Sequence, residues 1–359
     1  MSALARYVSW PPPEERPARL PFPLPRLAGP AWLAWRKHRA VYRTMVAFAV
    51  LGALWSVWEH HQLVSGVHHY ADICRTSPQR CDPGNDDAAP PAIPSVVHMV
   101  FDRSPSVLRY LPLAVGALLG GPLFAQDLES GTHRLAWTQS IGRREWVAVR
   151  LGTAALITTA AAAVLTVPVT WWWYSSWRGH SGTGPDRSAW RATIWWNGWD
   201  FFAWTGPVGV AHILLALMIG AVTGVLLRRT LPAVAAGAGL SEAALLGLEK
   251  LRPHLLTPSV RRSRGLGLDF PNSPRDAWYQ GLGYVRADGT LTSHDPCTSA
   301  RVRDVPACMR QHHIVGHYSS AFKMNQFLPL QLIETGICLA VCAALAAFCL
   351  WYVPRITAR

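Results

Sequence analysis

Six separate apolar segments interrupt this chain, and each is close to the length that a helix needs to cross a lipid bilayer. A transmembrane helix takes about 20 predominantly apolar residues. The segments are continuous rather than alternating, which excludes the strands of a membrane barrel. They occupy residues 42–58, 107–125, 147–173, 202–227, 231–248 and 327–353. The sequence therefore predicts an all-α polytopic membrane protein with six transmembrane helices.

Charged residues are sparse and mostly basic. They make up 15% of the chain, against about 25% in an ordinary soluble protein. The formal net charge is +13. In a soluble protein this excess of basic residues would suggest nucleic acid as a binding partner. Beside six apolar segments it indicates cations at the cytoplasmic membrane surface, so membrane lipid is the expected contact and nucleic acid is not.

The basic residues also predict the topology. Six spans place both termini on one side, and the short segments on that side carry 16 Lys and Arg residues. The opposing short loops, 59–106 and 174–201, carry 6. Cytoplasmic loops hold the excess of Lys and Arg. We therefore expect both termini in the cytoplasm of a multi-pass cell-membrane protein, and a large extracellular loop, 250–326, between helices 5 and 6.

The remaining segments complete the predicted organisation. Residues 1–30 are rich in proline and read as an extended cytoplasmic tail. Residues 31–41 combine tryptophans with a dense run of cations, which is typical of an amphipathic helix in the inner membrane interface. The transmembrane domain spans 42–353, with a cytoplasmic loop at 126–146, and residues 354–359 form a second cytoplasmic tail.

Four of the seven cysteines lie in the predicted extracellular loops, where disulfides persist. We expect the pairs Cys74–Cys81 and Cys297–Cys308 because the partners are close in sequence. Four cysteines permit three pairings, and four free thiols are the alternative. The other three cysteines, all in the sixth helix, are expected to be small core residues.

Three ionisable residues lie within or near the predicted spans: His212, Glu242 and Glu334. Ionisable groups inside a membrane are costly and usually face a cavity or a partner. They are candidates for a substrate pathway, the alternative being neutral, snorkelling or hydrogen-bonded groups between helices. The extracellular histidines lack a completing cysteine or carboxylate, so no metal site is predicted.

The chain contains no motif for nucleotide hydrolysis. Its three lysines, Lys37, Lys250 and Lys323, all lie outside any Gly-rich G-x-x-x-x-G-K-[ST] sequence. That motif cradles the phosphates of a bound nucleotide. No other recognisable catalytic motif is present either, so the chain is not expected to be an enzyme.

The loop after the second span carries the most informative sequence, DLESGTHRLAWTQS at residues 127–140, followed by Arg143 and Trp146. This stretch resembles the first cytoplasmic loop of ABC-2 type transporter permeases, most closely the actinobacterial branch. A second match lies just before the first span, where Trp35, Arg36, His38 and Arg39 resemble that branch's W-R-x-H-R motif.

The resemblance implies a transmembrane permease subunit of an ATP-binding cassette exporter. In that family the loop forms a coupling helix that docks on a separate nucleotide-binding subunit, which carries ATP and Mg²⁺. By this resemblance, the contact residues would be Glu129, Gly131, Thr132, Arg134, Leu135, Trp137, Thr138 and Gln139. The permease would work as a homodimer or with a related permease.

The substrate does not follow from the sequence beyond its broad class. The apolar spans and a tryptophan-rich connection between the third and fourth spans suit a hydrophobic or amphipathic cargo, such as a lipid, peptide or drug. One alternative is a membrane sensor or accessory subunit that binds a ligand through its extracellular loop. Another is a membrane enzyme that uses the extracellular histidines, among them His312 and His313.

Overall fold

The computed structural model describes residues 30–77, 109–132, 142–179, 199–265, 277–294, 297 and 304–356. Within these residues, six helical segments are long and apolar enough to cross a membrane, which confirms the predicted number. Their bounds are Trp35–Gly66, Leu111–Ser130, Arg143–Trp171, Gly206–Leu227, Thr230–His254 and Met324–Arg355.

Nine α-helices are assigned within the described residues. They are α1 (Pro30–Thr76), α2 (Leu111–Val115), α3 (Gly121–Ser130), α4 (Arg143–Gly179), α5 (Trp199–Trp204), α6 (Gly206–Leu227), α7 (Thr230–Leu251), α8 (Val305–Gln311) and α9 (Phe327–Ile356). A π-helix, Gly116–Gly120, joins α2 to α3, and 3-10 turns follow α7 (Arg252–His254) and precede α9 (Met324–Gln326).

The first helix is longer than the sequence predicted. The expected interfacial helix 31–41 and the first span form one continuous helix, α1. After Pro30 no proline interrupts this stretch, and proline is the residue that most strongly ends or kinks a helix.

Helix α6 lies at the centre of the bundle and packs against α3, α4, α7 and α9, while α1 packs against α4. Glycines permit the closest approaches. A Cβ atom at Gly220 would clash with the Gly116 carbonyl oxygen, and one at Gly224 would clash with the Gly121 carbonyl oxygen. Small residues of this kind let transmembrane helices pack backbone against backbone. The second, fourth and fifth spans therefore form a tightly packed group.

The loop between α7 and α9 folds into a small domain, so the prediction of an all-α protein is wrong for this segment. Its strands are β1 (Ser259–Arg264), β2 (Trp278–Arg286), β3 (Leu291–Thr292) and β4 (Ile314–Phe322). They form an antiparallel sheet in the order β1-β4-β2-β3. Valine, tyrosine and phenylalanine favour such strands, but short strands rich in arginine and glycine carry a weak sequence signal.

Local chemistry stabilises this domain. At the β2–β3 turn, the Asp288 carboxylate accepts hydrogen bonds from the Thr290 backbone N–H at 2.9 Å and from its hydroxyl at 2.7 Å. These bonds lower the pKa of Asp288. A disulfide joins Cys297 to Cys308, with 6.0 Å between the Cα atoms, as the sequence predicted. Cys297 packs with Tyr284 and Met309 in a small core.

Candidate functional site

The site that the sequence points to lies at the end of the bundle where α3 stops and α4 starts, which we call the loop end. Helix α3 ends at Ser130 because Gly131 adopts a left-handed conformation with φ of 72°. Glycine accepts this conformation without a steric penalty. Of the predicted coupling residues, Glu129, Gly131 and Thr132 are described. The other five, Arg134, Leu135, Trp137, Thr138 and Gln139, lie outside the described residues.

A buried carboxylate stands at the base of this loop. Asp127 is only 2% exposed and forms ion pairs with Lys37 of α1 and Arg150 of α4. The Thr132 hydroxyl also donates a hydrogen bond to the Asp127 carboxylate at 3.0 Å. An anion this deeply buried needs paired cations and donors. We call Asp127, Lys37 and Arg150 the Asp127 cluster.

Arg150 also contacts the helices around it. Its guanidinium donates to the Leu123 carbonyl at 3.2 Å and lies 4.6 Å from the Trp146 ring centroid. The Trp146 ring in turn packs against Phe124, with 5.7 Å between the centroids. The start of α4 is therefore held against the end of α3 by an ion pair, a hydrogen bond and aromatic packing together.

The W-R-x-H-R residues lie on α1 beside this cluster. Trp35 stacks on Tyr42 at 5.5 Å, and buried His38 packs edge-on against the same ring at 6.1 Å. Arg36 lies over the Trp32 ring, and both Arg36 and Arg39 are exposed. Trp35 and His38 thus pack against the bundle, while the two arginines are exposed.

Glu129 connects the same loop to a further helix. Its carboxylate accepts hydrogen bonds from the backbone N–H of Thr230 at 2.8 Å and from the Thr230 hydroxyl at 2.6 Å. Thr230 is the first residue of α7. Since the first N–H groups of a helix lack intrahelical partners, an acceptor at this position stabilises the helix start.

A second polar cluster lies at the opposite end, which we call the sheet end because the strands follow it. Glu334 of α9 accepts hydrogen bonds from Arg252 Nε and Nη2, both at 2.8 Å. It also pairs with His212 Nε2 of α6 at 2.9 Å. All three side chains are at most 3% exposed. Bidentate pairing with arginine is the arrangement that makes a buried carboxylate tolerable.

Further contacts fix helix α9 at this end. The Gln331 side-chain amide donates to the backbone carbonyls of Phe202 at 3.2 Å and of Thr205 at 2.7 Å. The Arg252 guanidinium lies 3.8 Å from the Phe202 ring centroid. Helix α5 and the residue before α6 are therefore held against α9 and the turn after α7.

A pocket opens beside this second cluster, between the start of the second span and helices α6 and α7. The residues that matter for its chemistry are Arg109, Trp204, His212, Glu242, Leu245 and Leu246. Arg109 Nη2 lies 3.8 Å from Glu242 Oε1, and their side chains are 40% and 30% exposed. The structure thus brings His212 and Glu242 to one pocket, whereas Glu334 is fully buried behind His212.

The other predicted residues have mixed outcomes. The Cys74–Cys81 pair lies outside the residues whose side chains are described. The three cysteines of the sixth helix, Cys338, Cys342 and Cys349, are buried and free, as expected. In the described part of the chain, no three His, Cys, Asp or Glu side chains gather as metal ligands. His312 and His313 are exposed in the turn that precedes β4.

The sequence did not reveal the cluster of Lys37, Asp127 and Arg150, or the ion pairs of Arg109 and Arg252. A usable signal existed: each of these charges lies at the edge of an apolar segment, where an unpaired charge is costly. The partners could not be inferred, because Lys37 and Asp127 are separated by 90 residues and Arg252 and Glu334 by 82.

The six long apolar helices define a polytopic helical membrane protein. The sequence profile of the ABC-2 membrane transporter related family matches residues 45–252, which is more than half of the chain. The chain therefore belongs to the ABC-2 membrane transporter related family. No curated protein and no solved structure matches it.

Proposed function

We propose that this chain is the transmembrane permease subunit of an ATP-binding cassette exporter. A separate nucleotide-binding subunit would hold ATP and Mg²⁺ and dock on the loop 126–146. Two permeases, either identical or related, would complete the transporter. Family membership supports the permease assignment, and the observation that carries the coupling role is the Asp127 cluster at the base of the loop.

The proposal requires the loop end to face the cytoplasm. The excess of Lys and Arg in the short segments at this end supports that orientation. The Cys297–Cys308 disulfide in the sheet domain supports it independently, because disulfides persist on the oxidising side of the membrane. In this orientation the sheet domain is extracellular and the Arg109–Glu242 pocket lies nearer the outer surface.

The contacts at the loop end support a mechanical role for the loop. Asp127 ties the end of α3 to α1 and α4, and Glu129 ties it to α7. A force applied to the loop by a partner would therefore reach three spans besides the second. On this proposal, ATP-driven closure of the partner moves the loop and shifts the spans between inward-open and outward-open arrangements.

The cargo would be hydrophobic or amphipathic and would pass the pocket at the sheet end. The His212–Glu334–Arg252 cluster joins α6, α9 and the end of α7 there, so a change in helix packing would act on it directly. Glu334 is a positioning residue in this proposal, because it is fully buried and contacts His212 rather than the pocket.

The experiment is affinity purification of the tagged chain from the membranes of its native host. Mass spectrometry would identify the partner, and an ATPase assay would measure its activity. We expect a stoichiometric subunit with a phosphate-binding loop. Trp137→Ala should weaken its retention by about 30-fold or more, as loss of an aromatic hot spot does.

Trp351→Ala is the matched control. Trp351 is 53% exposed on α9. It also lies at the loop end, because Arg143 at the start of α4 donates a hydrogen bond to the carbonyl of nearby Pro354 at 3.4 Å. This variant should keep both the partner and the ATPase activity. A purified chain with no nucleotide-binding partner would contradict the proposal and favour a sensor or accessory subunit. Equal behaviour of the two tryptophan variants would contradict the docking role of the loop.

A further inference from the structure

The pocket at the sheet end carries one positive and one negative side chain that are not tightly bonded to each other. The shortest distance between Arg109 and Glu242 is 3.8 Å, which exceeds a normal hydrogen bond. Both side chains are partly exposed, at 40% and 30%. By contrast, the nearby Arg252–Glu334 pair is bidentate at 2.8 Å and fully buried. The first pair can therefore accept other partners, whereas the second is already satisfied.

The surroundings of this loose pair are apolar on one side. Leu245 and Leu246 of α7 line the pocket with Trp204. Leu246 is 40% exposed, and only 28% of the apolar window of this span is buried, so the wall continues onto the outer surface of the bundle. A lipid at this surface would reach the two charges with its apolar part against Leu246.

We propose that this pocket binds the zwitterionic headgroup of a phospholipid. Arg109 would receive the phosphate and Glu242 the ammonium group, with the acyl chains against Leu246. A purely anionic or purely cationic ligand would satisfy one side chain and leave the other charge unpaired, which is costly in a low-dielectric site. A headgroup that carries both charges satisfies both. The inference rests on the proposed function only in treating this lipid as the cargo.

The test measures binding by the full chain without any partner. The purified chain in detergent is given equal amounts of phosphatidylethanolamine and phosphatidylglycerol, and the bound lipids are counted by native mass spectrometry. Both lipids carry a phosphate, but only the first carries an ammonium group. We expect a preference of about tenfold for phosphatidylethanolamine, the order of one charge-assisted hydrogen bond.

Glu242→Gln should remove the preference and leave the two lipids bound equally, because the ammonium group loses its carboxylate. Glu249→Gln is the matched control, since Glu249 lies on the same helix but does not line the pocket. It should keep the tenfold preference. Leu246→Trp narrows the mouth without changing a charge and should reduce the binding of both lipids.

Two results would overturn the proposal. One is a wild-type chain that binds the two lipids equally, and the other is a Glu242→Gln variant that keeps the wild-type preference. Glycerophosphoethanolamine has the headgroup but no acyl chains, so it tests whether the pocket binds a whole lipid or only a soluble headgroup. If this compound displaces the lipid at equal concentration, the acyl chains contribute nothing to binding, and the proposal that the ligand is a lipid would be contradicted. A chain that binds the lipid but has no ATPase partner would contradict the proposed function alone.

Discussion

Glu129 caps a helix that begins 101 residues later in the chain, because its carboxylate accepts hydrogen bonds from both the backbone N–H and the hydroxyl of Thr230. This contact joins the last turn of α3 to the first turn of α7. The resemblance to permeases assigns Glu129 to the contact with a partner subunit. The structure shows hydrogen bonds from another helix of the same chain to its carboxylate, and the residue is exposed.

We expect Glu129→Ala and Thr230→Val to lower the unfolding temperature of the purified chain by similar, modest amounts. The double variant should be little worse than either single variant, because both changes remove parts of the same contact. The measurement is thermal unfolding in detergent, with Glu249→Ala as a control that should change nothing. Fully additive effects would show that the two residues act independently.

Asp127→Asn should destabilise the chain by about 3 kcal/mol, because it leaves Lys37 and Arg150 close together without their carboxylate. Asp72→Asn is the matched control. Asp72 pairs with Arg75 at 3.0 Å, but both side chains are more than half exposed, and an exposed pair contributes little. Chemical denaturation of the purified chain and of the two variants measures the change in the free energy of unfolding.

A second change tests the reason for the loss. Lys37→Met in the Asp127→Asn background should recover part of the lost stability, because it removes one of the two unpaired cations. If the Asp127 and Asp72 variants are equally stable, or if Lys37→Met lowers stability further, the account of the Asp127 cluster is incorrect.

Gly220→Ala should destabilise the bundle by about 2 kcal/mol, because its new Cβ atom would meet the Gly116 carbonyl oxygen and no flexible side chain can move aside. Gly239→Ala is the control. Gly239 also lies in a transmembrane helix, but nothing lies within 4 Å of a Cβ atom built there. This variant should be neutral or stabilised by up to about 1 kcal/mol, since alanine is the better helix former. Thermal unfolding compares them, and equal effects would contradict the close glycine packing.

Cys297→Ser should loosen the sheet domain, because the disulfide closes a loop with a sequence separation of 11. A loop of this size is expected to contribute about 3 kcal/mol. Limited proteolysis should cut the region between α7 and α9 faster in this variant, with the six helices intact. A Cys338→Ser variant, which changes a buried free cysteine, should keep the wild-type cleavage rate in this region. Unchanged cleavage of the Cys297 variant would argue against a structural role for the bond.

The six spans could be predicted from the sequence because each is a continuous apolar segment near the bilayer length, a signal that is local in the chain. The sheet could not, because the alternation in strands such as Ser259–Arg264 is obscured by arginines and serines. For this loop the sequence predicts only its length and the Cys297–Cys308 pair.

In the candidate site, too, local features could be predicted from the sequence, whereas contacts between helices could not. Gly131 could be expected to end a helix from its residue type, and it does so with a left-handed backbone. The sequence shows His212 and Glu334 as ionisable residues in apolar spans, but their pairing with each other and with Arg252 depends on how three helices pack. Asp127 lies in the most informative motif of the chain, yet its cations come from two other helices. Tertiary ion pairs leave no periodic pattern to read.

The central claim is that the loop 126–146 docks on an ATPase, and photocrosslinking tests it most directly. The photoreactive residue p-benzoylphenylalanine replaces Trp137 in the tagged chain, and native membranes are irradiated. We predict an adduct whose second component contains a phosphate-binding loop, with none formed when Trp351 is replaced in the same way. A Trp137 adduct only with lipid, or one with a protein that lacks a nucleotide-binding motif, would contradict the claim.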